Sequence, residues 1–334
     1  MQQNSHINTL LTIVLGLLVL FTVYISYYLA TYTVGDVPPE TLSETYKGTL
    51  TMTLKPTVPA SAPAGMYTFS LGTKTLTLKN DAHDYYAPAF STDERVAFVA
   101  SGGDNGNQLY ISNVNNEETA EVLVPPSPAL FAGTSHWSID NTALVYDAIT
   151  ALPEVDNVEI ENSRIVYVDT ETNDQMIIDT GTSPIFQSDG SILYLKSDGV
   201  YSTTVTDMVA SEPELVIPFD EYDATTRSRL AISADEKLIA ITHPGAALFE
   251  VYHFVTLEDG SEVPAVVFGQ DDTVFWPVFS PDRTEIAYVQ IHFTDEKVSG
   301  KSLSIYNIET GKARPVFDLK EYSDENLSLT AWNK

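Results

Sequence analysis

The sequence predicts an all-β fold: a six-bladed β-propeller with a composite closing blade, preceded by a single N-terminal transmembrane helix. Three observations carry this. A phrase built on a large apolar residue, a serine and an aspartate, followed by an apolar run, occurs five times at nearly even spacing. Each repeat holds four short strand-like runs separated by turn residues, the pattern of a propeller blade. The chain then ends on an aromatic that opens a sixth copy, while strands able to complete that copy stand ahead of the first.

The five copies are "PAFSTDERVAFVAS" (Phe90, Asp93), "SHWSIDNTALVYDA" (Trp137, Asp140), "PIFQSDGSILYLKS" (Phe186, Asp189), "LAISADEKLIAITH" (Ile232, Asp235) and "PVFSPDRTEIAYVQ" (Phe279, Asp282). Trp332, in "SLTAWNK", takes the aromatic place of a sixth, and the successive spacings are 47, 49, 46, 47 and 53 residues. After each turn comes an apolar run ("VAFVA", "ALVYD", "ILYLK", "LIAIT", "IAYVQ"), then a second run and a short last one. Aspartate tolerates tight-turn geometry and bonds its own backbone two residues on, which explains its place. Gly190, after Asp189, suits a backbone with positive φ. The aromatic before each turn is expected to pack between adjacent blades. These repeated positions are read as structural.

The termini complete the ring. "MYTFSLGTKTLTLKN", Met66 to Asn80, reads as the third and fourth strands of a blade, and "KGTLTMTL", Lys47 to Leu54, supplies the second. With the Trp332 strand as the first, head and tail share one blade, and closure removes exposed sheet edges. No sustained helical period occurs beyond the N-terminal segment.

The phrases "FSPDRTEIAYV" and "IYNIETGK" resemble the repeats of TolB-type propellers, a WD-repeat-like family of periplasmic and cell-envelope proteins; the resemblance covers residues 66–334. It implies the propeller fold and says little about function. TolB carries a separate α/β domain before its propeller, and residues 32–65 are too short for one, so that protein's own role is not carried over. Some copies depart from the pattern: Gln187 replaces the serine, and Glu94, Asn141, Glu236 and Arg283 stand where the family favours glycine.

The N-terminus reads as a membrane anchor. After a tail at residues 1–9, "LLTIVLGLLVLFTVYISYYL" runs from Leu10 to Leu29 without a charge. At a rise of about 1.5 Å per residue it spans roughly 30 Å, the hydrocarbon thickness. It exceeds the apolar core of a cleaved signal peptide and lacks a small-residue cleavage site, so an uncleaved helix over 10–31 is expected. Residues 32–65, rich in Pro, Ala and small polar residues, read as a stalk containing one candidate strand at 47–54. The propeller at 66–334 is placed outside the cytoplasm.

The chain has 334 residues, 46 acidic and 17 basic, a formal net charge of -29, and no cysteine. Such acidity repels nucleic-acid phosphates. Without cysteine there is neither disulfide nor thiol chemistry. No hydrolase nucleophile motif, phosphate-binding glycine loop or sialidase-type Asp box is found. No catalytic residue, metal ligand or cofactor is assigned. Calcium is the one ion considered, from the oxygen-rich segments 102–107, 153–161 and 220–223.

The binding candidates are His136, which precedes Trp137 where other copies have small or aliphatic residues, and Arg227 with Arg229. Strand alternation puts both arginines on one face, at a channel mouth, where they suit an anionic group. Tyr85, Tyr86, Phe275 and Trp276 lie near inner strands and suit stacking on sugars. The expected function is a membrane-anchored, extracytoplasmic, non-catalytic interaction scaffold of the cell envelope, whose partner is another envelope protein. The alternative is a propeller, lyase-type included, that binds glycan or a small ligand in its central channel.

Overall fold

A computed structural model describes residues 48–57, 63–81, 86–101, 107–113, 116–123, 131–149, 160–219, 224–243, 248–253, 266–267, 272–294, 297–323 and 327–333. The chain divides into two units, Met1–Thr45 and Tyr46–Lys334, and all of these residues belong to the second. The expected anchor lies outside the described residues, as do most of the stalk and nearly all of the three oxygen-rich segments. Among the described residues no helix is long and apolar enough to cross a membrane.

Strands β1 (Thr49–Leu54), β2 (Gly65–Ser70) and β3 (Thr75–Asn80) come first. Blade one is β4 (Tyr86–Phe90), β5 (Arg95–Ser101), β6 (Asn107–Asn113) and β7 (Asn116–Leu123). Blade two is β8 (Phe131–Trp137), β9 (Ala143–Ile149), β10 (Ser163–Asp169) and β11 (Gln175–Thr180). Blade three is β12 (Thr182–Phe186), β13 (Ile192–Lys196), β14 (Gly199–Thr203) and β17 (Glu214–Pro218). A small hairpin of β15 (Val205–Thr206) and β16 (Val209–Ala210) interrupts it. Blade four is β18 (Arg229–Ile232), β19 (Leu238–His243), β20 (Leu248–His253) and β21 (Val266–Val267). Blade five is β22 (Asp272–Phe279), β23 (Glu285–Thr294), β24 (Lys297–Asn307) and β25 (Lys312–Asp318).

Five blades are thus drawn from contiguous chain. A further four-stranded sheet joins the ends: β26 (Ser328–Asn333) pairs antiparallel with β1, which pairs with β2 and then β3. Leu50 faces Trp332 and Thr53 faces Ser328 in that register. The Thr53 and Ser328 hydroxyls meet at 2.7 Å, and the Thr330 hydroxyl donates to the Thr51 carbonyl at 3.1 Å. Gly48 opens the strand with φ 118°, and a Cβ there would lie 2.5 Å from the Asn333 carbonyl oxygen, so only glycine fits the seam. The strand expected at 47–54 in the stalk is therefore part of the propeller sheet. Inner strands β4, β8, β12, β18, β22 and β26 touch in succession, and β26 returns to β4, closing the ring.

Each blade lies between two others, so its central strands are buried on both faces. This is why their sequences read as unbroken apolar runs instead of an alternation. Ala143 to Ala148 in β9, for example, are all buried. The core is accordingly a series of interblade layers. Trp137 packs with Ala97 and Val99 of blade one, Phe186 with Val145 and Ile165 of blade two, and Phe279 with Ala231 and Ala240 of blade four. Trp332 packs with Val289 and Ile305 of blade five. Burying a side chain of this size contributes about 1.5–3 kcal/mol.

Phe90 departs from the expectation that every such aromatic is packed between blades: it is 38% exposed. The cause is the seam it occupies. The blade before it is the composite one, and among the described residues the layer there is small, built from Met66, Val96 and Phe98.

Three of the Ser-x-Asp turns share one geometry, in which the serine accepts the N–H five residues on. Ser138 Oγ accepts the Ala143 N–H at 2.9 Å and donates to Asp140 Oδ1 at 2.7 Å. Ser233 accepts the Leu238 N–H at 2.9 Å, and Ser280 accepts the Glu285 N–H at 3.0 Å. The Ser138 hydroxyl holds the Asp140 carboxyl below the usual range, and the Ser280 hydroxyl does so for Asp282. Where Gln187 replaces the serine, its side-chain oxygen accepts from the Ser191 hydroxyl at 2.8 Å.

The residue after each Asp is left-handed: Glu94, Asn141, Gly190, Glu236 and Arg283 have φ between 57° and 88°. Three of the non-glycine residues fasten the preceding blade. Asn141 reaches Thr92, Glu236 reaches Ser188, and Arg283 pairs with Asp235.

Candidate ligand-binding channel

The inner strands enclose a cavity of about 460 Å³ on the ring axis, and all six contribute to its wall. A bulge shapes the wall. The register of β4, β12 and β22 against their neighbours shifts just before the Ser-x-Asp turn. Ala87, Ser183 and Trp276, each three residues before the aromatic position, are left-handed with φ of 46°, 54° and 57°. In the same column of the other blades stand Thr134, Arg229 and Leu329, and all six border the cavity. Bulges of this kind re-aim side chains.

Two members of this column meet. The Arg229 guanidinium carbon lies 4.7 Å from the centre of the Trp276 ring. The Tyr86 ring approaches that indole edge-on, at 5.6 Å and 84°. Arg229 is held from behind: its Nη1 donates to the carbonyls of Thr226 and Ser228, both at 2.8 Å. The turn that carries those carbonyls is itself pinned, with the Thr225 N–H donating to Ser228 Oγ at 3.0 Å. Trp276 sits in a backbone region that bulky residues avoid, at a cost on the order of 1–3 kcal/mol, so its surroundings must impose the conformation.

His136 also lines the cavity. Its Nδ1 accepts the Phe186 N–H at 3.2 Å, tying blade two to blade three. Part of the ring faces the cavity, but protein surrounds it closely, and this burial pushes its pKa down to about 4. It is a neutral imidazole with the proton on Nε2 at neutral pH.

The structure separates the two arginine candidates. β18 begins at Arg229, so strand alternation does not extend back to Arg227. Arg227 lies in the preceding turn, is exposed, and is not part of the cavity wall. Tyr86 and Trp276 are brought together, Phe275 packs into the layer between blade five and the sheet that joins the ends, and Tyr85 lies outside the described residues.

Sequence reasoning missed Asp147. This carboxylate is 2% exposed and accepts the hydroxyls of Thr134 and Thr182, each at 2.7 Å. It ties β8 to β12, and it orients Thr134 at the cavity. Gly133 gives it room: a Cβ there would stand 2.7 Å from Asp147 Oδ1. Sequence reasoning also left Arg229 and Trp276 unconnected. The signal was present: they occupy one column of adjacent repeats, and adjacent repeats are adjacent blades. Among the described residues no cluster of three or more His, Asp or Glu side chains is placed to hold a metal ion.

No protein-family model matches the chain, and no curated protein does. Solved structures do. TolB from Acinetobacter baumannii superposes with a TM-score of 0.57 at 16% identity, over 86% of this chain and 66% of that one. The likeness is to the TolB-type propeller fold. A protein assigned as TolB from Agrobacterium tumefaciens matches with a TM-score of 0.52 at 13% identity, over 86% of this chain and 98% of that one. Hydrazine synthase from Kuenenia stuttgartiensis matches at 0.54 and 13%, over 75% and 70%. The chain therefore spans just under two thirds of the Acinetobacter TolB. At these identities the shared property is the propeller fold, which is met here in proteins with different names.

Proposed function

We propose that the chain is a non-catalytic binding propeller of the cell envelope, tethered outside the cytoplasm by the apolar segment at residues 10–31, which offers the mouth of its channel to another envelope protein. The observation that carries this reading is the channel wall. Its side chains are mainly apolar, with a guanidinium clamped on an indole, and these are groups that hold a ligand. The His136 ring nitrogen that would serve as a base is occupied by the Phe186 N–H. The single uncharged apolar run near the N-terminus supports the tether.

A second reading, glycan or small-ligand binding in the same channel, is favoured by the Tyr86–Trp276 edge contact, which puts aromatic surface on the wall. Photo-crosslinking from Ile139, 67% exposed on the turn that follows β8, tests the first reading. Recovery from membranes of one crosslinked protein, absent when the label is moved to the outer strand β3, supports it. No crosslinked protein, together with saturable binding of a saccharide, replaces it with the second.

A further inference from the structure

We propose that the Arg229–Trp276 corner of the channel is a carboxylate-binding site, taking a ligand whose acid group pairs with Arg229 and whose apolar body fills the cavity. The inference rests on reading the channel as a binding surface and names the chemistry it selects.

The first observation concerns charge. With 46 acidic residues against 17 basic ones, cations on this chain readily find carboxylates: Arg95 pairs with Asp93, Lys196 with Asp179 and Arg283 with Asp235. Arg229 has no such partner among the described residues. Its two hydrogen bonds, both from Nη1, go to carbonyls, which hold the group without neutralising it. Nε is buried and has no hydrogen-bond partner among the described residues. Nη2 likewise has none among the described residues. Nε and Nη2 form the side edge of the guanidinium fork, the edge that receives the two oxygens of a carboxylate in parallel hydrogen bonds.

The second observation concerns Trp276. Ala87 and Ser183 take the same left-handed conformation in the same column with small side chains. The fold therefore does not need an indole there. The indole lies beneath the guanidinium carbon at 4.7 Å and offers it no hydrogen-bond acceptor, so the side edge of the Arg229 fork is the part still to be satisfied.

The third observation is shape. The cavity is about 460 Å³, within the range of small-ligand sites, and Ile185, Leu230, Val278 and Leu329 supply apolar wall around the corner. Asp147, the buried carboxylate nearby in the fold, is not part of the wall, and its oxygens are taken by Thr134 and Thr182. A charged guanidinium beside apolar surface selects an acid with an apolar body. The end of a polypeptide and a free organic acid share that chemistry.

Calorimetric titration of the full-length protein tests the site. The probes are 3-phenylpropionate, its neutral amide, and a hexapeptide ending in Ala-Phe, as the free acid and as the C-terminal amide. Each acid is expected to bind at least about 10-fold more tightly than its amide, and more weakly as salt rises. Arg229→Gln is expected to erase the preference for the acid, whereas Arg227→Gln, outside the wall, keeps it. A tighter fit for the peptide acid assigns the site to a polypeptide end, and a tighter fit for 3-phenylpropionate assigns it to a small organic acid.

Equal binding of acid and amide, wild-type affinity in a folded Arg229→Gln variant, or no binding of either acid at about 10 mM overturns the proposal. Should Arg229→Gln fail to fold, Arg229→Lys decides. It keeps the charge and loses the fork, so most of the affinity should go, and retention of full affinity counts against the site. An Ile139 crosslink to a protein partner alongside failed acid binding would remove this site and leave the binding reading standing. Acid binding without a crosslinked protein would do the reverse.

Discussion

Asn141 and Thr92 form a reciprocal pair across the seam between blades one and two: the Asn141 amide nitrogen donates to the Thr92 hydroxyl at 2.6 Å, and the Asn141 side-chain oxygen accepts the Thr92 N–H at 3.0 Å. Asn141 holds this pair from a left-handed backbone, φ 61°. Asparagine adopts that region at low cost, and its side chain then does what glycine cannot. Three of the repeats that lack glycine at this position thus exchange backbone ease for contact between blades.

Two variants separate these terms. Asn141→Gly loses the pair but gains backbone ease, and it should cost no more than about 1 kcal/mol. Asn141→Ala loses the pair and keeps the unfavourable φ, so it should cost about 1–2 kcal/mol. Urea denaturation of both variants checks the order. If Ala proves as stable as Gly, the backbone account of this position is wrong.

His136 sets a pH dependence. Its folded pKa is lowered to about 4 from the ordinary 6.5. Between those values the unfolded chain binds a proton that the folded protein does not, so stability falls as pH drops from 6.5 towards 4 and this contribution levels off below. The full effect is on the order of 3 kcal/mol. Replacing the imidazole by a non-titrating acceptor, His136→Asn, should flatten the slope in that window. Melting curves at half-unit pH steps measure it, and an unchanged slope in the variant would place the titration elsewhere.

Asp147 tests the inner wall between blades two and three. Asp147→Ala strands the buried Thr182 hydroxyl and releases the Thr134 hydroxyl into the cavity, and should destabilise the protein by about 1–3 kcal/mol. Asp147→Asn retains one acceptor and should cost less. The comparison is a thermal melt of each variant; equal costs would show that the two hydroxyls do not depend on the carboxylate.

The repeat was legible because its physics is local and periodic. A serine that caps the next strand, an aspartate that closes the turn and a large residue that fills an interblade layer recur in most of the blades. The ends were legible for the same reason, since a lone first strand at Trp332 demands partners. Phe90 was misread because its layer depends on the composite blade, whose packing no single repeat encodes. Arg227 was misread because alternation was applied across a turn, where it has no meaning. Asp147 was hidden inside "ALVYDAI", an apolar run that gives no sign that a carboxylate is satisfied by hydroxyls from two other strands. The Arg229–Trp276 contact needed the repeats compared column by column, and it needed the ring to make neighbouring columns touch.

The central claim is a ring closed by the two ends of the propeller region, and it can be tested by one covalent bond. Thr53 and Ser328 face each other across β1 and β26, where paired strands bring Cα atoms to about 4.5–5.5 Å, within the span of a disulfide. The chain has no cysteine of its own, so Thr53→Cys with Ser328→Cys gives a protein whose only thiols are these two. Mild oxidation should join them, consume both thiols within the monomer and raise the melting temperature, since the bond closes a loop of 275 residues. Two thiols that stay free in the folded, oxidised protein would contradict the closure.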